Sequence, residues 1–529
     1  MKYRILIIAV ILGILNVACI KEPDISYKDL EQRSLKAWIE KHHPELVKNY
    51  QAEGGYYVEV LDAGVADSTS VTGKDVWLWY DFTGRDLDGN VCETRSANLA
   101  ELLGTYTAYT HYVPAYRFSG KESHSLLEGT YLATFNALDI WNEESQSMDK
   151  FEVRYGTKLR LYLPSSLVEE GSGLVGDGGY EGEFALDSNR PMIVEMKVYG
   201  HVTNPVAYEG NRVDAFTNIN GGLCLEHASK NQEEKASKSH YRRHMTRGQS
   251  SDSDNSKADA SVMEFFDGRW HQAVDTMAHL YVNYAYSPAT KTFDYNAVGA
   301  DTLMYPMENI YDAGKIYGND ALAGLDARIN QALVERFGAG ISGEEVLEAD
   351  SLHTQATAKI WYIGRFLDGF IFDTNIDEVR EIVYGEVASA GKALEFDTKN
   401  VDENKYIPMW NHAIPTLRYG QWAALLAVST YGYGISGQVG SHTTTEDNSS
   451  TNAYYDYMNY YNYMNYMNSY YGYGYGNMYN NGYYGYNPYY YGYNNPTIDS
   501  GDSQTVITTT TSTEIPAFSP LLFQIFVEK

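Results

Sequence analysis

The sequence predicts an α+β protein in which one sheet-forming domain occurs twice. Three observations predict it. The frame Gly-Arg-x-Leu-Asp-Gly occurs from Gly84 and again from Gly364, 280 positions later, in "FTGRDLDGNVCETR" (82–95) and "YIGRFLDGFIFDTN" (362–375). Strand-and-turn texture fills about 52–202 and resumes at "HTQATAKIWYIG". Between the two lies a stretch, about 229–261, with almost no apolar residue. At 529 residues the chain is too long for one ordinary domain, and its 44% apolar content supplies real cores.

The chain opens "MKYRILIIAVILGILNVACIKEPD", a basic start and an apolar run from Ile5 to Leu15. The run is shorter than the ~20 residues of a membrane span and reads as an export signal. Its end, Val-Ala-Cys at Cys19, resembles a bacterial lipobox, although Leu15 sits four before the cysteine and Asn16 takes the usual leucine place. The resemblance implies a signal over 1–18 and a lipidated Cys19, so that 19–51 is an anchor and a helix. An ordinary export signal, or an anchor, with an incidental cysteine is the other reading. Within 19–51, Ser26 and Asp29 look like a capping pair, and Leu30, Leu35, Trp38 and Ile39 form an apolar side closed by Pro44.

The first sheet domain spans 52–202. In "TKLRLYLP", Leu159, Leu161 and Leu163 alternate onto one face. A polar linker follows over 203–261, with the composition of disordered chain from about 229 to 261. It carries His240 and His244 at helical spacing among arginines, a pattern better explained by a solvated linker than by a metal site. A helical segment follows over 262–345, where Leu322, Leu325, Ile329, Leu333 and Phe337 fall at helical spacing before Gly338. The second sheet domain spans 346–529, interrupted over 437–513. That interruption holds 19 of the 49 tyrosines, between Tyr454 and Tyr493, in a low-complexity Tyr/Asn/Gly/Met run.

The net charge of −29 argues against nucleic acid as a partner, because phosphate backbones would be repelled. Beyond Cys19, only Cys92 and Cys224 remain, which reads as two free thiols rather than a disulfide framework. No Cys/His cluster has metal spacing, no cofactor is called for, and there is no nucleophile elbow, HExxH or P-loop.

Three blocks resemble the FKBP family of peptidyl-prolyl cis-trans isomerases, in the family's order. They are "YIGRFLDGFIFDTN", "YIPMWNHAIPTLRYGQWAALLAVSTYGYG" and "EIPAFSPLLFQIFVEK", covering about 351–436 and 514–529. The resemblance implies an antiparallel sheet wrapped around a short helix, with the tyrosine run inserted in a loop over the site. It places Trp410 on the pocket floor and Tyr362, Phe372 and Phe523 on the aromatic walls. Ile407 becomes a backbone donor and Ile515 an apolar loop contact. Asp373 becomes the pocket carboxylate, and Tyr433 a hydroxyl that can reach a bound peptide. Leu394 stands for another aromatic wall, Met409 replaces a glycine, and Pro415 removes a donor from the short helix. The first domain follows the same order in "WLWYDFTGRDLDGNVCET", "KFEVRYGTKLRLYLPSSL" and "GGYEGEFALDSNRPMIVEMKVYG". There Phe82 replaces the tyrosine, Cys92 the wall phenylalanine and Glu93 the aspartate. The Tyr-Gly after Pro164 is missing, and Trp141 comes nearest the floor position. This copy is expected to keep the fold and lose the site.

Rotation about an X–Pro bond faces a barrier of about 18–20 kcal/mol and needs no nucleophile, only an apolar pocket that fits the twisted amide. The resemblance therefore implies a prolyl isomerase with a chaperone role. It would act on proline-containing client polypeptides, anchored by lipid in the bacterial envelope. The alternative is a non-catalytic FKBP-like scaffold that binds or adheres through the Tyr/Asn/Gly-rich loop.

Overall fold

A computed structural model describes residues 26–65, 71, 76–104, 106–119, 126–168, 190–224, 266–274, 276–295, 322–343, 345–346, 349–350, 352, 355–385, 387, 390–401, 404–438, 442–443, 509–510 and 513–528. The export signal with Cys19, the pair His240 and His244, and the tyrosine run 454–493 lie outside the described residues. Among the described residues no helix is long and apolar enough to cross a membrane.

The fold is mixed α and β with antiparallel sheets. Helix α1 (Tyr27–His42) starts where the Ser26 hydroxyl accepts from Asp29 N. Leu35 and Ile39 are buried, whereas Leu30 is 45% exposed, so the apolar side is narrower than expected. Strands β1 (Tyr50–Gln51), β2 (Tyr56–Asp62), β3 (Val76–Arg85) and β4 (Val91–Thr94) follow, then α2 (Ala97–Leu103) and β5 (Ala115–Ser119). Helix α3 (Glu128–Phe135), the hairpin β6 (Leu138–Asn142) and β7 (Ser147–Phe151), β8 (Lys158–Leu163) and β9 (Met192–Val202) complete the first copy. Leu159, Leu161 and Leu163 are all buried, as their alternation predicts.

The second copy begins earlier than its motif blocks. Helix α4 (Pro205–Ile219), β10 (His271–Gln272) and β11 (Leu280–Asn283) precede α5 (Leu322–Phe337). Then come β12 (Thr357–Arg365), β13 (Ile371–Thr374), α6 (Asp377–Tyr384), β14 (Leu394–Asp397), α7 (Pro408–Ala413) and β15 (Trp422–Ala427). The short pair β16 (His442–Thr443) and β17 (Thr509–Thr510) precedes the final strand β18 (Leu521–Glu528).

The two large sheets share one order. The first runs β1-β2-β8-β9-β3-β4 with β5 on β3, the second β10-β11-β15-β18-β12-β13 with β14 on β12. Each sheet therefore takes its first two strands from a lead-in that follows a helix. Residues 205–219 are thus helix where the composition set the start of a linker. Between 262 and 345, β10 and β11 are strands where the pattern suggested helices. Tyr208, Val213 and Phe216 on α4, and Leu280 and Val282 on β11, are buried and give these segments their own stake in the core. The strongly polar stretch 229–261 lies outside the described residues.

The repeated frame is a bulged hairpin in both copies. Register shifts between Gly84 and Arg85, and between Gly364 and Arg365. Arg85 Nη1 donates to Gly89 O at 3.3 Å, and Arg365 Nη1 to Gly369 O at 2.9 Å. The closing glycines have φ of 95° and 93°, a left-handed turn that favours glycine. In the second copy the arginine is buried. It also donates to Gln524 Oε1 and lies 2.9 Å from Asp326 Oδ1 on α5. Cys92 and Cys224 are buried and unbridged.

The copies touch. Trp77, Trp79, Tyr116 and Phe118 of the first join the buried cluster of the second. Trp77 meets Phe518 edge-on at 5.0 Å, Tyr109 stacks on Tyr384 at 4.2 Å, and His111 Nε2 lies 2.7 Å from Asp368 Oδ2.

Candidate active site

The site forms where β12, β13, β18 and α7 of the second copy converge. Tyr362 projects from β12, Phe372 and Asp373 from β13, and Phe523 from β18. Trp410 is the third residue of α7, whose cap is Ile407. The rings meet edge-on. Trp410 lies 5.0 Å from Tyr362 and 5.1 Å from Phe523, and Phe523 lies 5.6 Å from Phe372. Such geometry sets ring edges against faces, which the quadrupole favours. Tyr433 closes the row, 6.3 Å from Phe372.

Gly364 is what lets the rings pack so closely. A Cβ there would stand 2.6 Å from Phe372 Cζ and 2.9 Å from Phe523 Cε1. The first glycine of the repeated frame is thus part of the ring cluster.

Polar groups are few. Tyr362 Oη donates to Asp373 Oδ2 at 2.6 Å. Burial pushes the Asp373 carboxyl up, against the pull of that hydroxyl and of the Thr374 N–H. Trp410 Nε1 is buried without an acceptor among the described residues. Ile407 is buried, and its carbonyl accepts from Trp410 N at 3.0 Å. Among the described residues nothing accepts from its own N–H. Buried donors without partners are uncommon and mark places where a ligand atom can complete the bonding.

The structure brings Tyr362, Phe372, Asp373, Ile407, Trp410, Tyr433 and Phe523 into one cluster. Ile515 is buried in the same cluster, held by a two-way backbone pair with Gln438. Leu394 is half-buried on β14, paired with Ile360. Pro415 does not disturb the helix. α7 ends at Ala413, and the proline sits in the first turn of the 3-10 segment Ile414–Thr416, where its missing N–H has no partner to lose.

The same register reads off the first copy. Gly364 faces Phe523 and Asp373, while Gly84 faces Val194 and Glu93. Val194 therefore stands where Phe523 does, Cys92 where Phe372 does, and Phe82 where Tyr362 does. The floor residue differs from the sequence expectation. Trp141 lies on β6, half-buried, with Lys48 Nζ 3.6 Å over its ring. The third residue of α3, matching Trp410, is the buried Thr130. "LLEGT" (126–130) was the signal for this, hidden because its last residue is not aromatic. The first copy thus has one ring where the second has four.

No protein-family model matches the chain, and no curated protein matches it in sequence. Among solved structures it is similar to FkpA from Escherichia coli, at 13% identity over 38% of this chain and 71% of that one, with a TM-score of 0.20. It is similar to a peptidyl-prolyl cis-trans isomerase from Pseudomonas syringae pv. tomato at 19% identity, over 32% of this chain and 90% of that one, with a TM-score of 0.19. It is also similar to the three FKBP domains of wheat FKBP73 at 8% identity, over 90% and 95%, with a TM-score of 0.18. At likenesses this slight, the chemistry of the site rests on its own residues.

Sequence reasoning missed Glu209. This residue of α4 is 1% exposed, and its carboxyl receives both the N–H and the hydroxyl of Ser429, four positions before Tyr433. Nothing in the sequence near position 209 signals a partner 220 positions away.

Proposed function

We propose that the second copy is a peptidyl-prolyl cis-trans isomerase of the FKBP type. Its substrates are proline-containing polypeptides. It works without cofactor or metal, held at the bacterial envelope by a lipid on Cys19. The first copy keeps the sheet and serves as a non-catalytic neighbour. The observation that carries the reading is the box of Tyr362, Phe372, Trp410 and Phe523, with one hydrogen-bonded carboxyl and two donors that find no acceptor among the described residues.

Such a box suits amide rotation. A planar X–Pro amide is stabilised by charge-separated resonance and by water on its carbonyl. Apolar walls remove that water, and the less polar twisted amide loses least by the move. The proline ring would lie on Trp410 between Tyr362 and Phe523. Ile407 N–H would bond a substrate carbonyl, and the Tyr433 hydroxyl a second one. Asp373 fixes the Tyr362 ring through its hydroxyl.

The test is isomerisation of a chromogenic X–Pro peptide by the full chain. A fragment over 346–529 would lack α4, β10 and β11 and so is unsuitable. Trp410→Ala is expected to lower kcat/KM by at least about tenfold, and Asp373→Ala by less. A folded chain with no catalysis above the spontaneous rate would overturn the reading and leave the non-catalytic scaffold in its place.

A further inference from the structure

Glu209 is the fifth residue of α4, a helix outside the motif blocks that define the site. A carboxyl this buried is costly unless its oxygens are paired. Here both are. One takes the Ser429 N–H, and the other takes the Ser429 hydroxyl at 2.9 Å. Ser429 opens the 3-10 turn Ser429–Tyr431, and its carbonyl accepts from Gly432 N at 2.9 Å and Gly434 N at 2.8 Å. Tyr433 lies between those two donors. Gly432 is pressed against β18, since a Cβ there would stand 2.4 Å from Leu521 Cδ1. The segment that presents the tyrosine is therefore held at one end by the carboxyl and, at Gly432, by the last strand.

The first copy repeats the clasp. Glu31 is the fifth residue of α1, and its carboxyl takes Ser165 N at 2.6 Å and Ser165 Oγ at 2.8 Å. Ser165 opens the matching 3-10 turn Ser165–Leu167. There the chain continues with Val168, Glu169 and Glu170 and offers no tyrosine. The same device thus holds two turns, of which one carries a ring that meets Phe372.

We propose that Glu209 is a positioning residue for the second copy's site, acting through Ser429 to fix the turn that presents Tyr433 to a bound peptide. This rests on the isomerase reading. Either protonation state keeps the clasp, because a serine hydroxyl both donates and accepts.

The experiment uses the full chain and two readouts: kcat/KM on an X–Pro peptide, and amide hydrogen exchange resolved by segment. Glu209→Ala should lower kcat/KM about tenfold and speed exchange over 429–434, with the sheet amides unchanged. Glu209→Gln, which can still accept from Ser429 N and donate to Ser429 Oγ, should restore most of both. Tyr433→Phe should add little once Glu209→Ala is present, since both act on one group. Glu31→Ala is the internal control. It should loosen 165–168 and leave kcat/KM within about twofold. If Glu209→Ala does not fold, Ser429→Ala, which removes only the hydroxyl half, should give a smaller change of the same kind. Wild-type kcat/KM and exchange in a folded Glu209→Ala chain would overturn the proposal, as would an equal loss of activity from Glu31→Ala. An inactive wild-type chain would instead defeat the isomerase reading. The clasp would then stand or fall on exchange over 429–434 alone.

Discussion

Met409 stands where the resemblance expects glycine, and the structure gives the reason. In the first copy the matching residue is Gly129, and a Cβ there would lie 2.4 Å from Leu163 Cδ2. In the second copy the residue matching Leu163 is Ala427, and Met409 and Ala427 are both fully buried. Volume lost from the strand is regained from the helix, the kind of exchange that cores tolerate. Ala427→Leu should therefore overpack the second copy and cost about 1–3 kcal/mol. Adding Met409→Gly should recover most of that, short of about 1 kcal/mol for glycine in a helix. Urea unfolding of the single and double variants measures it, and additive losses would refute the exchange. The site aromatics were legible because three blocks of the sequence resemble the FKBP family in its order, and that resemblance assigns each a place. Thr130 was not, because a threonine gives no sign that it fills a floor position.

Among the elements, α4 has the largest effect for the least sequence signal. Burial pushes the Glu209 carboxyl up to about 7, against the two Ser429 donors and the charges of Arg212 and His279. A carboxyl whose folded pKa lies above its ordinary 4.5 holds its proton more tightly in the folded chain. Its stabilisation is full below that ordinary value and is lost as pH rises through about 7. The loss amounts to about 3 kcal/mol. Unfolding free energies taken from about pH 5 to about pH 8 should fall by that margin more in wild type than in Glu209→Gln. Parallel curves would show that Glu209 does not titrate in this window. The helix was hidden because the value of "NPVAYEGNRVDAFTNI" lies in a partner far along the chain. The repeated hairpin was plain because glycine and arginine act within six positions of each other.

At the scale of the molecule, the first copy braces the second. His111 stacks on Phe366 at 5.0 Å and tilts against Phe370 at 4.5 Å, while its Nε2 meets Asp368, which sits in the turn of the second bulged hairpin. Burial alone would raise the Asp368 carboxyl, but His111 and the Phe370 N–H hold it below the usual carboxylate range. Arg117 reaches Glu514 at 3.6 Å, next to Ile515 of the site. His111→Ala leaves a buried carboxyl without its ring partner and should cost about 3 kcal/mol. Combining it with Asp368→Asn should cost less than the sum of the two single changes, and thermal or urea unfolding of the four proteins measures the coupling. Strict additivity would mean that the two copies do not communicate through this pair.

The sequence by itself determined that one hairpin frame occurs twice, and its resemblance to a known family named the aromatics that gather in the second copy. The frame and each motif block are contiguous runs, so they are written locally. Only the tertiary structure decided where each copy begins, which residue fills the first copy's floor, and that a helix outside the motifs grips the turn bearing Tyr433. The physical reason is distance along the chain. Glu209 and Ser429, or His111 and Asp368, form contacts whose meaning exists only once the sheets have brought them together.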